Sequence, residues 1–118
     1  MAEIANFTAK GPAKSLASAI EQYALAQGHV SALVVPWESS PTTFSMAVTA
    51  VRGEGWAIEH TNLGTITLTD LGGASTRVTV IASPAVDPAP DAGAAPLKLA
   101  TVFNGFAKQL RTKFEATP

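Results

Sequence analysis

His60 and Asn62 are the residues of this chain whose types and spacing could do chemistry. Two positions apart on a strand, they share one face. A neutral imidazole can act as a general base, and a neighbouring amide can orient a substrate. His60 is therefore the catalytic candidate. Parity places the pair with Ile58, Ile66 and Leu68, on the face that a C-terminal helix is expected to cover. Polar groups on a covered face must be hydrogen-bonded or must meet water or a ligand. The plainer reading leaves both at the curved end of the sheet, beyond the helix and partly in water.

Other chemistry finds little support. Glu59 and His60 are adjacent, so on a strand they point to opposite faces and do not share an ion; with Glu54 and His29 they make no metal site. There are no cysteines, which excludes disulfides and thiolate ligands. Gly72-Gly73 leads into a strand and lacks the Lys-Ser/Thr and helix of a phosphate loop. The Ser, His and Asp residues form no readable triad. Trp37, Trp56 and Tyr23 could line an aromatic pocket, although packing in the core or at its rim is the commoner use of such residues. No cofactor is implied.

The elements that must position these residues follow from the pattern. With 118 residues and 47% hydrophobic content, one domain spanning 1–118 around one core is expected. Residues 2–8 read as a short strand carrying Ile4 and Phe7. Gly11-Pro12 opens a helix over roughly 12–27, with Leu16, Ile20, Tyr23 and Ala24 at helical spacing and Gly28 as its stop. Val30 to Trp37 is apolar on both parities. It predicts a strand buried on both faces or one at a subunit contact, and Pro36 marks an end or an edge. Either the first helix buries it, or it pairs with a second copy as a homodimer.

Thr43 to Arg52 puts Phe44, Met46, Val48 and Ala50 on one face, opposite Ser45, Ala47, Thr49 and Val51. Gly53-Glu54-Gly55 turns the chain. From Trp56 the even positions run through Ile58, His60, Asn62, Gly64, Ile66 and Leu68, which predicts one long strand bent at Gly64. Gly72-Gly73 turns it back into Thr76–Ile81. Ser83 to Pro96, rich in Pro, Ala, Asp and Gly, reads as a long loop. The last helix, Leu97 to about Glu115, carries Leu99, Val102, Phe103, Phe106, Leu110 and Phe114 as a broad apolar stripe.

The stretch Gly64-Thr-Ile-Thr-Leu-Thr-Asp-Leu-Gly-Gly-Ala-Ser-Thr-Arg-Val-Thr-Val80, followed by a loop and a Phe/Leu-rich final helix, resembles the C-terminal half of the START-like (Bet v 1-like, polyketide-cyclase-like) helix-grip superfamily. The likeness covers roughly residues 56–115. It implies a curved sheet gripping a helix, sometimes around an apolar ligand. Here Gly28 runs almost directly into Val30, without the extra elements usual in that superfamily. The order is closer to the shorter β-α-β4-α arrangement of the TATA-binding-protein-like fold. No functional residue carries over, because that superfamily has no single catalytic motif.

The expected fold is α+β: a curved antiparallel sheet of about five strands, with an N-terminal helix near one end and a long C-terminal helix across its concave face. Three functions compete. A small apolar or amphipathic ligand could lie between helix and sheet, lined by His60, Asn62, Trp56, Ile58, Phe103, Phe106 and Leu110. A filled core would instead suit a structural or protein-interaction module. A small cyclase- or hydratase-like enzyme would use His60. Charge is nearly balanced, 8 basic against 9 acidic residues, so no nucleic-acid partner is expected. No apolar run reaches membrane length and no leader is evident, so a cytoplasmic protein is expected. The Ala-rich composition suggests a bacterial source.

Overall fold

The computed structural model describes residues 2–52, 59–83 and 94–115, with side chains at 3–51, 61–83 and 101–115. In chain order these form β1 (Ala2–Lys10), α1 (Ala13–Gln27), β2 (Val30–Val34), a short 3-10 turn (Pro36–Glu38), β3 (Thr43–Arg52), β4 (Glu59–Gly72), β5 (Ser75–Ala82) and α2 (Ala94–Phe114). The strands make one antiparallel sheet in the order β1-β5-β4-β3-β2. This is the expected α+β architecture and the expected β-α-β4-α order.

The connection through α1 carries the chain from one edge of the sheet to the other. β1 and β2, the first two strands in sequence, are thus the two edges of the sheet. α1 packs mainly on β2 and reaches β3, while α2 packs on β1, β4 and β5. The helices share one face of the sheet. The other face carries Ser45, Ala47, Thr49, Thr65, Thr67 and Thr79, all half-buried among their own neighbours. A sheet with one face on the core and one open to solvent is an ordinary antiparallel solution.

Local chemistry explains the boundaries. Pro12 sits at the N-cap of α1, and Gly28, with φ 82°, closes it by donating its N–H to the Leu25 carbonyl at 3.2 Å. α1 buries Ala13, Leu16, Ala17, Ile20 and Ala24, and three alanines let it lie close to the sheet. Pro96 falls in the first turn of α2, where a missing N–H breaks no helical bond. That helix therefore begins at Ala94, three residues before the expected Leu97, and takes the end of the expected Ser83–Pro96 loop. Residues 84–93 of that loop, the Gly53-Glu54-Gly55 turn and the side chain of Leu99 lie outside the described residues.

The β4–β5 hairpin turns on Gly73 and Ala74, with φ 59° and 61°, between the paired Gly72 and Ser75. A two-residue turn with both central residues left-handed is the type I′ geometry that suits the twist of paired strands. This turn is also tied to the start of α1. Gly11 donates its N–H to the Ala74 carbonyl at 2.6 Å, and the buried Thr76 hydroxyl donates to the Gly11 carbonyl at 2.8 Å. One cluster of buried side chains fills the space between sheet and helices, with Phe7, Ile20, Met46, Leu63, Ile66, Val80, Phe103 and Leu110 among its members.

Candidate functional site

The residues expected to hold a ligand do not share one environment. Phe103, Phe106 and Leu110 are buried at 0%, 3% and 0% exposure. Phe103 lies directly on Gly64 of β4: a Cβ added there would stand 2.7 and 2.9 Å from two of its ring carbons and would meet the Ile81 carbonyl oxygen. Helix and sheet are in van der Waals contact at this point, and glycine is what permits it. Tyr23 of α1 closes the flank of α2, stacked on Phe106 at 6.1 Å between centroids and edge-on to Phe114 at 6.0 Å. Among the described residues, every buried side-chain nitrogen or oxygen has a hydrogen-bond partner.

Asn62 is exposed, while Leu63 beside it is fully buried. This corrects the expectation that parity runs unbroken along β4. Val48 pairs with Gly64 and Thr49 with Asn62, so Leu63 is an extra residue opposite that step, a β-bulge. The bulge turns Leu63 into the core and leaves Asn62 opposite Thr49, on the face no helix covers. The Leu63 carbonyl accepts from Ser83 N–H at 2.9 Å, and the Asn62 carbonyl accepts from the Ser83 hydroxyl at 3.3 Å. β4 is nonetheless one continuous strand, as expected, over 14 residues. His60 lies on it with its backbone paired to Val51; its side chain, and all of Trp56 and Ile58, lie outside the described residues. Among the described residues no three His, Asp or Glu side chains gather as metal donors, and no helix is long and apolar enough to cross a membrane.

The region Val30–Trp37 departs more sharply from a doubly buried strand. β2 stops at Val34, because Pro36 supplies no N–H and opens a 3-10 turn. The Ser39 hydroxyl holds that turn by donating to the Val35 carbonyl at 2.8 Å. Only Val30 and Ala32 are buried; Leu33 is 59% exposed and Trp37 85% exposed. Trp37 is therefore not a core residue.

The ladder register identifies the free edge. Val35 N–H donates to the Ser45 carbonyl at 2.8 Å, and Val51 N–H donates to the His29 carbonyl at 2.8 Å. Odd-numbered residues of β2 thus bond to β3, and alternation leaves the amides and carbonyls of Val30, Ala32 and Val34 aimed outward. One of these is occupied: the Val34 N–H donates to Oε1 of Glu21, from α1, at 3.3 Å. Beside the edge lies a groove of about 170 Å³, lined by Glu21, Gln22, Leu25, Ser31, Ala32 and Leu33. Leu25 is 79% exposed.

Of the four exposed large apolar side chains among the described residues, Leu25 and Leu33 line this groove and Trp37 follows β2. The fourth, Leu71, is at the β4–β5 turn. Leu25 and Glu21 were not singled out from sequence. The available signal was Leu25 itself, a leucine standing outside the Leu16-Ile20-Ala24 stripe of α1.

No family model, no curated protein and no solved structure matches the chain.

Proposed function

We propose that this protein is a protein-interaction module whose contact surface is the edge of β2, with a second copy of the chain as the occupant. The observation that carries the reading is a coincidence of place: a strand edge with outward amides, two exposed leucines in a groove beside it, and an exposed tryptophan just beyond. An open edge is a template for another strand, and a contiguous apolar surface next to it gives a partner something to bury.

Antiparallel pairing centred on Ala32 uses all of β2. Val30 then faces Val34 of the second copy, and each side supplies the same outward groups. Such an isologous contact is the commonest kind in soluble oligomers. Burying Trp37 from both copies removes on the order of 300–400 Å². With Leu25, Leu33 and the paired backbones, the total approaches the roughly 1,000 Å² of a specific interface. The Glu21 carboxylate now on Val34 N–H would give way to the incoming carbonyl. It would then lie near His29 of the second copy, which this register places next to Val34.

Two alternatives are weaker. A ligand between α2 and the sheet needs space where Phe103 and Gly64 already touch, and every buried polar side-chain atom among the described residues is already partnered. A catalytic His60 is weakened because Asn62, its expected companion, is exposed on the face that no described helix covers. The test is sedimentation velocity on the wild-type chain and on Leu33→Asp. The reading predicts a concentration-dependent dimer of the wild type and an association at least tenfold weaker in the variant. A wild type that stays at monomer mass up to millimolar concentration would overturn it.

A further inference from the structure

The last turns of α2 hold three of the chain's 8 basic residues: Lys108, Arg111 and Lys113. They are not equivalent. Arg111 is paired with Glu115 at 3.0 Å, while Lys108 and Lys113 are in no ion pair among the described residues. Both lysines border a groove of about 380 Å³ between α1 and α2, whose other walls are Tyr23, Gln109 and Thr112. At 100° per residue along the helix, Lys108 and Lys113 bracket a floor made by Gln109 and Thr112.

The polar groups of this groove are already arranged. The Tyr23 hydroxyl donates to Oε1 of Gln109 at 3.3 Å, which leaves the Gln109 Nε2 hydrogens without an acceptor among the described residues. The Thr112 hydroxyl donates back to the Lys108 carbonyl at 3.0 Å. Lys113 Nζ stands 5.4 Å from the Tyr23 ring centroid and 5.8 Å from that of Phe114, which holds one cation over aromatic faces. Among the described residues, no carboxylate lines the groove. The two nearest in sequence on these helices are engaged elsewhere, Glu21 on Val34 N–H and Glu115 on Arg111. In a chain of net charge −1, this is a local concentration of positive charge in a concave place.

We infer that the groove between α1 and α2 binds a phosphate group, with Lys108 and Lys113 closing on it from either side and the Gln109 amide donating from below. A phosphate monoester carries close to two negative charges at neutral pH and so matches two unpaired ammonium groups. A single carboxylate would leave one unmatched. The phosphate can come from a small ester or from a lipid headgroup. The site is separate from the β2 edge and does not depend on it.

The experiment is a titration of the ¹⁵N-labelled chain with inorganic phosphate at low ionic strength, followed by amide shifts, and a parallel flotation assay. The vesicles are phosphatidylcholine with or without phosphatidic acid. Saturable shifts at the Gln109 side-chain amide and the Thr112 backbone amide are expected. They should be at least tenfold weaker in the double variant Lys108→Gln/Lys113→Gln and unchanged in Lys14→Gln, a control cation on α1. Lys108→Gln alone serves if loss of the Lys113 ring contact disturbs folding. Phosphate shifts without flotation support a small ester. Flotation that needs phosphatidic acid and both lysines supports a headgroup. Neither response, or equal responses in the double variant, overturns the inference.

Discussion

A side chain at position 64 has nowhere to go. The Phe103 ring and the Ile81 carbonyl already occupy the volume a Cβ would need. Gly64→Ala should therefore cost on the order of 3 kcal/mol, since the ring can shift but the backbone oxygen cannot do so cheaply. The urea midpoint should fall while the slope is unchanged; an unaltered midpoint would mean that α2 does not lie on β4 as described. Ala74 makes the opposite prediction. It holds φ 61° without being glycine, at an expected cost of about 1–2 kcal/mol. Ala74→Asn should regain part of this, about 1 kcal/mol, because asparagine accepts the left-handed turn position. The same denaturation measurement should move the other way. At this scale the sequence was partly legible. The Phe103, Phe106 and Leu110 stripe announced itself by spacing. Asn62 did not sit where parity put it, because a bulge depends on the pairing of two strands and leaves no mark on the alternation of one.

For the elements, the informative one is β2. Its backbone predicts a substitution that separates folding from association. The Ala32 N–H points to the open edge, so Ala32→Pro removes no bond to β3 and edge strands tolerate proline at such positions. The variant should keep the wild-type circular dichroism yet sediment as a monomer of 12.1 kDa. A variant that still associates like the wild type would place the contact elsewhere. Pro36 signalled the end of this strand correctly, and the apolar run Val30–Val35 signalled that something unusual lies there. Doubly buried and half-exposed apolar strands look alike in composition. The difference lies in whether a second layer covers the other face, and here the chain supplies both of its helices to the same side. The start of α2 was missed for a related reason: Pro96 reads as a loop residue until its place in the first helical turn is known.

In the whole molecule, two helices divide one face of a five-stranded sheet, and among the described residues no α-helix packs across the other face and no further strand pairs along the β2 edge. The order β-α-β4-α was readable because each element carries its own period and its own stop. The use of the free edge was not, since an edge strand is defined by what fails to pair with it. The claim that β2 takes a second copy is tested most directly at one atom, the Ala32 amide hydrogen. Its exchange with solvent should slow as protein concentration rises, in step with dimer formation, while the Leu33 amide, bonded to β3, stays equally protected throughout. An Ala32 amide whose exchange is independent of concentration, in a sample that sediments as a dimer or in one that does not, would contradict the account.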